Sequence, residues 1–195
     1  MRILSFIADG ADECARAACA VVRAGGLAVG PTDTVYGIFS AWANAAALKR
    51  VYALKGRAEE KRLLALAAEE SMLLPWVREA PPPELQRHWP GALTIVLPAL
   101  AHPFGWDTIA FRVPGNAFAS ALSRALGEPV YAPSANPQDR PPALTIEEAR
   151  EYFGGAIDLY IDGGRAEDAQ ASTLVSCLTF PPKVLRQGAV VVELR

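Results

Sequence analysis

Apolar positions along the chain recur with two different periods, and the switches between them outline the elements. Ile3 to Ala8 is a short apolar run that reads as a first strand. Asp9 then caps a helix extending to about Ala24, and Gly25-Gly26 supplies the left-handed backbone that ends it. Leu27-Ala28-Val29 is a short buried strand. The segment Pro31-Thr32-Asp33-Thr34-Val35-Tyr36-Gly37 follows as a loop whose polar side chains stand at a strand's carboxyl end, where open α/β sheets place ligands. Helical spacing of Leu48, Val51 and Tyr52 predicts a helix over Asn44 to Leu54, and Leu63 to Ala67 predicts a strand.

Helices around Met72 to Arg78 and Glu84 to Trp89 are separated by Pro81-Pro82-Pro83, a loop rather than a linker. Leu93 to Leu97 and Thr108 to Val113 are rich in β-formers and a hairpin loop apart, so they are expected to pair antiparallel. Asn116 caps a helix to Leu126. The brief strand Val130-Tyr131-Ala132 then runs into Pro133-Ser134-Ala135-Asn136-Pro137, where two prolines stiffen a polar loop. Thr145-Ile146-Glu147-Glu148 is a capping box for a helix to Phe153, followed by strands near Ile157 to Ile161, Ser172 to Cys177, Lys183 to Arg186 and Val190 to Leu194. Strands and helices are mixed rather than strictly alternating. The expected class is therefore α/β (α+β), a single domain over residues 1–195 on a mixed parallel and antiparallel sheet with flanking helices.

Composition narrows the function classes. The 195 residues are 51% hydrophobic, enough for a sizeable core, and 19 Lys+Arg against 21 Asp+Glu leave a net charge of −2. Sequence-independent coating of a polyanion is disfavoured, because that affinity rests on phosphate neutralisation. Cys14, Cys19 and Cys177 match no zinc spacing and read as reduced, mostly buried thiols. No stretch approaches a membrane-spanning length, and the expected location is the cytoplasm. The chain holds no Walker or Rossmann glycine loop, and His88 and His102 read as surface or loop imidazoles with no neighbouring metal ligand.

What remains is a set of cationic, hydroxyl and amide side chains on loops, suited to holding phosphates and carboxylates. Between Lys49 and Arg62 six basic residues against two acidic ones give a local net of +4. Within it, Lys55-Gly56-Arg57 sets a point charge and a planar fork about a glycine; a ligand-facing turn and a solvated helix end both fit. Tyr36 reads as a core aromatic with a satisfied hydroxyl.

The string Pro31 to Gly37, then Lys55-x-Arg57, Pro90-Gly91-Ala92-Leu93-Thr94, Phe111-Arg112-Val113-Pro114, Ala132-Pro133-Ser134-Ala135-Asn136, Ser172-Thr173 and Leu185-Arg186-x-Gly188, resembles in order and spacing the YrdC/TsaC family. The resemblance implies a twisted mixed sheet with a concave cleft. It implies threonylcarbamoyl-AMP synthesis from L-threonine, bicarbonate and ATP with release of pyrophosphate, feeding a downstream tRNA threonylcarbamoyl transferase machinery. By the same resemblance Lys55 and Arg57 are the catalytic cations, and Lys55, Arg57, Ser134, Asn136, Ser172 and Arg186 bind ATP. Arg112, Thr32 and Thr94 bind threonine, with Arg112 as a bidentate carboxylate clamp. No residue set is expected to cage a metal; Mg²⁺ would travel with ATP.

The chain departs from that pattern. Ala58 and Lys61-Arg62-Leu63 stand where the family commonly has proline and Lys-Pro-Leu, so the loop after Arg57 is expected to be less rigid. Gln138-Asp139 replaces a Ser-Gly pair, and the acid would oppose phosphate binding unless it points away or meets Arg140. Two other readings stand beside the synthase: a YciO-like relative that binds nucleotide for different chemistry, and an RNA-binding module making weak tRNA contact through the +4 patch.

Overall fold

A computed structural model of the chain describes residues 2–166 and 170–194. Its elements are β1 (Arg2–Ser5), α1 (Phe6–Asp9), α2 (Ala11–Arg23), β2 (Ala28–Gly30), β3 (Gly37–Ala41), α3 (Ala45–Lys55), β4 (Leu64–Leu66), α4 (Pro83–Gln86), β5 (Leu93–Pro98) and β6 (Thr108–Arg112). Then follow α5 (Ala117–Leu126), β7 (Val130–Tyr131), α6 (Ile146–Phe153), β8 (Leu159–Asp162), β9 (Thr173–Ser176) and β10 (Lys183–Arg186).

The strands form one mixed sheet in the order β1-β8-β2-β3-β7-β4-β6-β5-β9-β10. Parallel pairs (β1 with β8, β8 with β2, β4 with β6, β5 with β9) are interleaved with antiparallel ones. Side chains on a strand alternate between faces, and here the alternation fills two separate cores. Ala28, Phe39, Leu66, Val130, Leu159 and Ile161 pack with Cys14, Ala18 and Val22 of α2 and Phe118 and Leu122 of α5. Their strand neighbours Val29, Ile38, Ala65, Tyr131 and Tyr160 point the other way, into a larger core with Val51 and Tyr52 of α3 and Ile146 and Phe153 of α6. Covering both faces leaves the strand ends and their loops as the surface on which ligand groups can gather.

The caps at Asn44, Asn116 and Thr145 form as the sequence predicts, each side-chain oxygen accepting an N–H three residues on. Cys14 and Cys19 are buried, Cys177 is partly so, and all three are free thiols. No helix of the described residues is long and apolar enough to cross a membrane.

Five expectations are corrected. The first strand stops at Ser5, and Asp9 does not cap α2: Ser5 Oγ accepts the Ala8 N–H (3.3 Å) while Asp9 Oδ2 accepts the Ser5 N–H (2.8 Å). This reciprocal bonding turns Phe6–Asp9 into its own helical turn, and Gly10 begins α2 without a side-chain cap. The helix expected over Met72 to Arg78 is only a 3₁₀ turn at Glu70–Met72, because Pro75 offers no N–H and the neighbouring backbone bonds elsewhere. Arg78 N–H donates to the Pro98 carbonyl and Leu100 N–H to that of Trp76. The helix expected over Glu84 to Trp89 is the single turn α4. Val190 to Leu194 is not a strand: the Val190 N–H and carbonyl both bond the Thr173 hydroxyl (3.1 and 2.5 Å), which removes them from any ladder. Conversely, β3 continues directly from a segment expected to be loop up to Gly37.

The chain that follows β10 folds back over the start of β9, and Gly188 makes this possible by close approach rather than by unusual backbone. A Cβ there would fall on the Ala171 carbonyl oxygen and within 2.6 Å of the Ser172 carbonyl carbon. Gly188→Ala is expected to cost about 1–3 kcal/mol through overpacking against backbone, measured by chemical denaturation; unchanged stability would mean the fold-back is not fixed.

Candidate active site

Helix α3 ends at Lys55 because Gly56, at φ 58°, takes the left-handed backbone and turns its N–H back to the Ala53 carbonyl. Gly56 is a helix end, but not a solvated one: Lys55 is buried, and Lys55 and Arg57 both border a hollow. Lys55 itself is only 3% exposed, and its ammonium donates to the carbonyls of Ser134 (2.5 Å) and Asn136 (2.8 Å). Gln138 N–H returns a bond to the Lys55 carbonyl (2.6 Å), so helix end and loop hold each other at three points. Burial, and then repulsion from Arg57, push the Lys55 pKa down to about 8. Arg57 braces its own loop, donating from Nε to the Lys61 carbonyl (2.8 Å) and from Nη2 to that of Arg62 (3.1 Å).

The loop after β7 is docked on the loop before β3. Ser134 bridges Gly37, and Ala135 N–H donates to the Tyr36 carbonyl (2.7 Å). Ser134 Oγ donates to Asn136 Oδ1 (2.6 Å), and the Asn136 amide donates to the carbonyls of Pro137 and Arg140 (2.9 and 2.7 Å). Tyr36 is the satisfied core phenol expected. Its hydroxyl donates to the Gly164 carbonyl (2.6 Å) and accepts the Gly163 N–H (2.9 Å), and burial pushes its pKa up to about 12.

Arg112 ends β6 at 2% exposure. Its Nη1 donates to Thr34 Oγ1 (3.0 Å), Nη2 lies 3.3 Å from Asp33 Oδ1, and Nε is buried with no partner. Burial lowers its pKa, the Asp33 carboxylate opposes that, and Arg186 adds to it. Across the neighbouring strands β5 and β9, Thr94 and Ser172 share a hydroxyl bond of 2.8 Å, and Arg186 donates to the Ser172 carbonyl (2.8 Å).

These groups line two adjoining hollows. Thr32, Thr34, Arg112, Ser134, Ser172 and Arg186 border the first; Lys55, Arg57, Arg62, Thr94, Ser134 and Arg186 border the second. Ser134 and Arg186 belong to both. Eight of the nine residues singled out in the sequence thus face one continuous concavity. The ninth, Asn136, lines neither hollow and instead fixes Lys55 and Ser134. Thr94 sits with Lys55 and Arg57, and Ser172 with Arg112, the reverse of the grouping that the resemblance implies. Thr32 faces the first hollow, but its hydroxyl is taken up locally, donating to the Val35 carbonyl (2.7 Å). Asp33 and Thr34 were not singled out; the signal for them was their place in the Pro31 to Gly37 string.

The two histidines do not join the site. His102 stacks on Trp106 (4.3 Å between ring centroids) and bonds the Tyr131 hydroxyl, and burial, then Arg62, push its pKa down to about 4. Among the described residues no group of three or more His, Cys, Asp or Glu could hold a metal ion. Asp139 adopts φ 63° at an exposed turn and lines neither hollow, so it points away from the cations.

The molecule is a mixed sheet with both faces covered, whose loops direct cations and neutral donors into two joined hollows. The chain belongs to the Sua5/YciO/YrdC family: the family profile, described as "Telomere recombination", matches residues 20–188. It is 39% identical over 156 residues to the threonylcarbamoyl-AMP synthase of Halorhodospira halophila, covering 76% of this chain and 82% of that protein. It is 34% identical over 185 residues to the synthase of Bacillus subtilis, covering 90% of this chain but 54% of the relative, so the chain spans about half the length of that protein. In structure it is similar to Pyrococcus abyssi Sua5 complexed with L-threonine, with TM-score 0.84 and 33% identity over 91% of this chain and 54% of that one. Escherichia coli YciO superposes with TM-score 0.82 and 25% identity over 93% of this chain and 91% of its own.

Because the folded-state pKa of Lys55 lies below its ordinary value of 10.5, burial of the charged form costs stability below about pH 8, and that cost fades as pH rises toward 10.5. ¹³C-lysine NMR of the free protein is expected to show one side chain titrating near pH 8 that is absent in Lys55→Arg. A Lys55 midpoint near 10.5 would contradict the burial argument.

Proposed function

We propose that this protein is a threonylcarbamoyl-AMP synthase, with the amino acid in the first hollow and the triphosphate in the second. The observation that carries this reading is the junction: Ser134 and Arg186 line both hollows, so two anionic reactants bound there would meet between them. The relatives are named threonylcarbamoyl-AMP synthases, and two adjoining cation-lined hollows are consistent with that reaction.

L-Threonine, bicarbonate and ATP would yield threonylcarbamoyl-AMP, pyrophosphate and water. The amine captures the bicarbonate carbon as a carbamate with loss of water. A carbamate oxygen then forms a bond to the α-phosphorus as the bond to pyrophosphate breaks, and no enzyme nucleophile is needed. Catalysis is then positioning and charge stabilisation. The unpartnered Nε edge of Arg112 suits the threonine carboxylate. Lys55 and Arg57 would stabilise charge on the phosphates, with Thr94 as a neutral donor. Arg186, anchored by Ser172, would bridge the reactants. Asn136 would act through Lys55 and Ser134, whose positions it fixes. Magnesium would arrive coordinated by the ATP phosphates. The product would supply tRNA threonylcarbamoyladenosine synthesis in the cytoplasm.

The YciO-like alternative has one observation in its favour: the match to YciO covers nine-tenths of both chains. An RNA-binding role has only the +4 patch in its favour, on a chain whose net charge is −2.

Pyrophosphate and adenylate are to be measured with ATP, Mg²⁺, bicarbonate and L-threonine, omitting one at a time. Release that depends on all of the last three supports the synthase, whereas nucleotide turnover indifferent to threonine and bicarbonate supports the YciO-like reading. Lys55→Ala and Arg57→Ala are each expected to lower kcat by about 10²-fold or more with the fold intact. Arg112→Ala should raise KM for threonine far more than KM for ATP; equal loss of both removes the carboxylate assignment. Since kcat/KM reports the free enzyme, its value for ATP should fall above about pH 8 as Lys55 loses its proton.

A further inference from the structure

Two side chains beside Arg112 lie outside the roles assigned above, and their bonds have a direction that can be worked out. Each threonine hydroxyl has one proton to give. That of Thr32 goes to the Val35 carbonyl (2.7 Å), so toward Thr34 the Thr32 oxygen can only accept, from the Thr34 N–H (3.1 Å) and from the Thr34 hydroxyl (3.0 Å). The Thr34 proton is thereby committed, and its oxygen is left to accept from Arg112 Nη1 (3.0 Å). The relay runs one way, from guanidinium to Thr34 to Thr32 to the Val35 carbonyl.

Asp33 completes the hold. Oδ1 lies 3.3 Å from Arg112 Nη2 as an ion pair without a hydrogen bond, and Oδ2 accepts the Gly115 N–H (3.3 Å), so a single side chain sits against both the guanidinium and the backbone three residues beyond it. Nη1 thus makes one hydrogen bond and Nη2 an ion-pair contact, while Nε is buried without a partner on a residue that borders the first hollow. Two guanidiniums, Arg112 and Arg186, against the one carboxylate of Asp33 leave a net charge of one, the complement of a single carboxylate.

We propose that Asp33 and Thr34 are positioning residues for amino-acid recognition: they fix the rotation of the Arg112 guanidinium so that its Nε edge meets the substrate carboxylate. This rests on the reading of the first hollow as the amino-acid site.

Thr34→Val removes the hydroxyl and keeps the branched shape; Thr34→Ser keeps the hydroxyl and removes the methyl. KM for L-threonine is expected to rise about tenfold or more in Thr34→Val, the usual effect of losing a hydrogen bond to a charged group. KM for ATP should stay within about twofold, and Thr34→Ser should remain close to the unaltered enzyme. A folded Thr34→Val with an unchanged threonine KM overturns the proposal, as does a Thr34→Ser equally impaired, which would make the methyl's packing the cause. Should Thr34→Val not fold, the unaltered protein decides: the Arg112 Nε–H resonance shifts on saturation with L-threonine if that edge receives the carboxylate, and an unmoved resonance overturns the idea. Failure of the functional reading looks different, since the unaltered protein would then show no threonine-dependent pyrophosphate release at all.

Discussion

The buried ammonium of Lys55 is the constraint on which the site depends. An unpaired charge at that depth would cost several kcal/mol, and the cost is offset only because two backbone carbonyls, of Ser134 and Asn136, converge on it. Those carbonyls are available because Pro133 and Pro137 limit how the intervening chain can turn and because Asn136 closes the turn with its own amide. The C-terminal end of α3 and the loop after β7, 79 residues apart in sequence, are thereby one rigid unit. Loosening either partner would expose the second hollow's floor to rearrangement.

Arg112 poses the same problem with a different solution. A guanidinium keeps its proton whatever its surroundings, so burial must be met by partners rather than by titration. Asp33 and Thr34 supply two of them, both from the turn between β2 and β3. One cation-lined hollow is therefore organised by an ammonium whose pKa is lowered to about 8, the other by a cation that does not titrate. The two share Ser134 and Arg186, so their geometry is coupled while their responses to pH are not.

Much of this was legible locally and little of it globally. The caps at Asn44, Asn116 and Thr145 act within four residues, and β5 and β6 pair across a short loop, so sequence neighbours were enough to foresee them. The three-residue strands β2 and β4 and the two-residue β7 are read correctly in place, but their order in the sheet follows from pairings far apart in the chain. That order is what sets Thr94 against Ser172, which explains why their grouping about the hollows was inverted. Helix α1 escaped notice because the bonds Ser5 N–H to Asp9 and Ala8 N–H to the Ser5 hydroxyl compete with an apolar pattern that by itself reads as strand. Asn136 illustrates the remaining limit: by residue type it is an ordinary turn residue and only the family resemblance marks it, whereas its bonds to Ser134, Pro137 and Arg140 depend on how the loop is folded.

The departures after Lys55-x-Arg57 show how one kind of rigidity replaces another. Without prolines at Ala58 and Arg62, the backbone there has more freedom to lose on ordering. Side chains supply the restraint instead. Two of the five N–H groups of Arg57 bond the Lys61 and Arg62 carbonyls, the Tyr52 hydroxyl reaches Lys61 as well (3.4 Å), and the Arg62 guanidinium sits 4.5 Å above the Trp106 ring. Proline stiffens a loop regardless of what is bound, whereas these contacts draw on a residue that itself faces the second hollow. Any anion that pulls Arg57 inward must therefore compete with the loop carbonyls, so order in this segment and occupancy of the hollow are linked in this chain in a way that a proline-stiffened loop would not require.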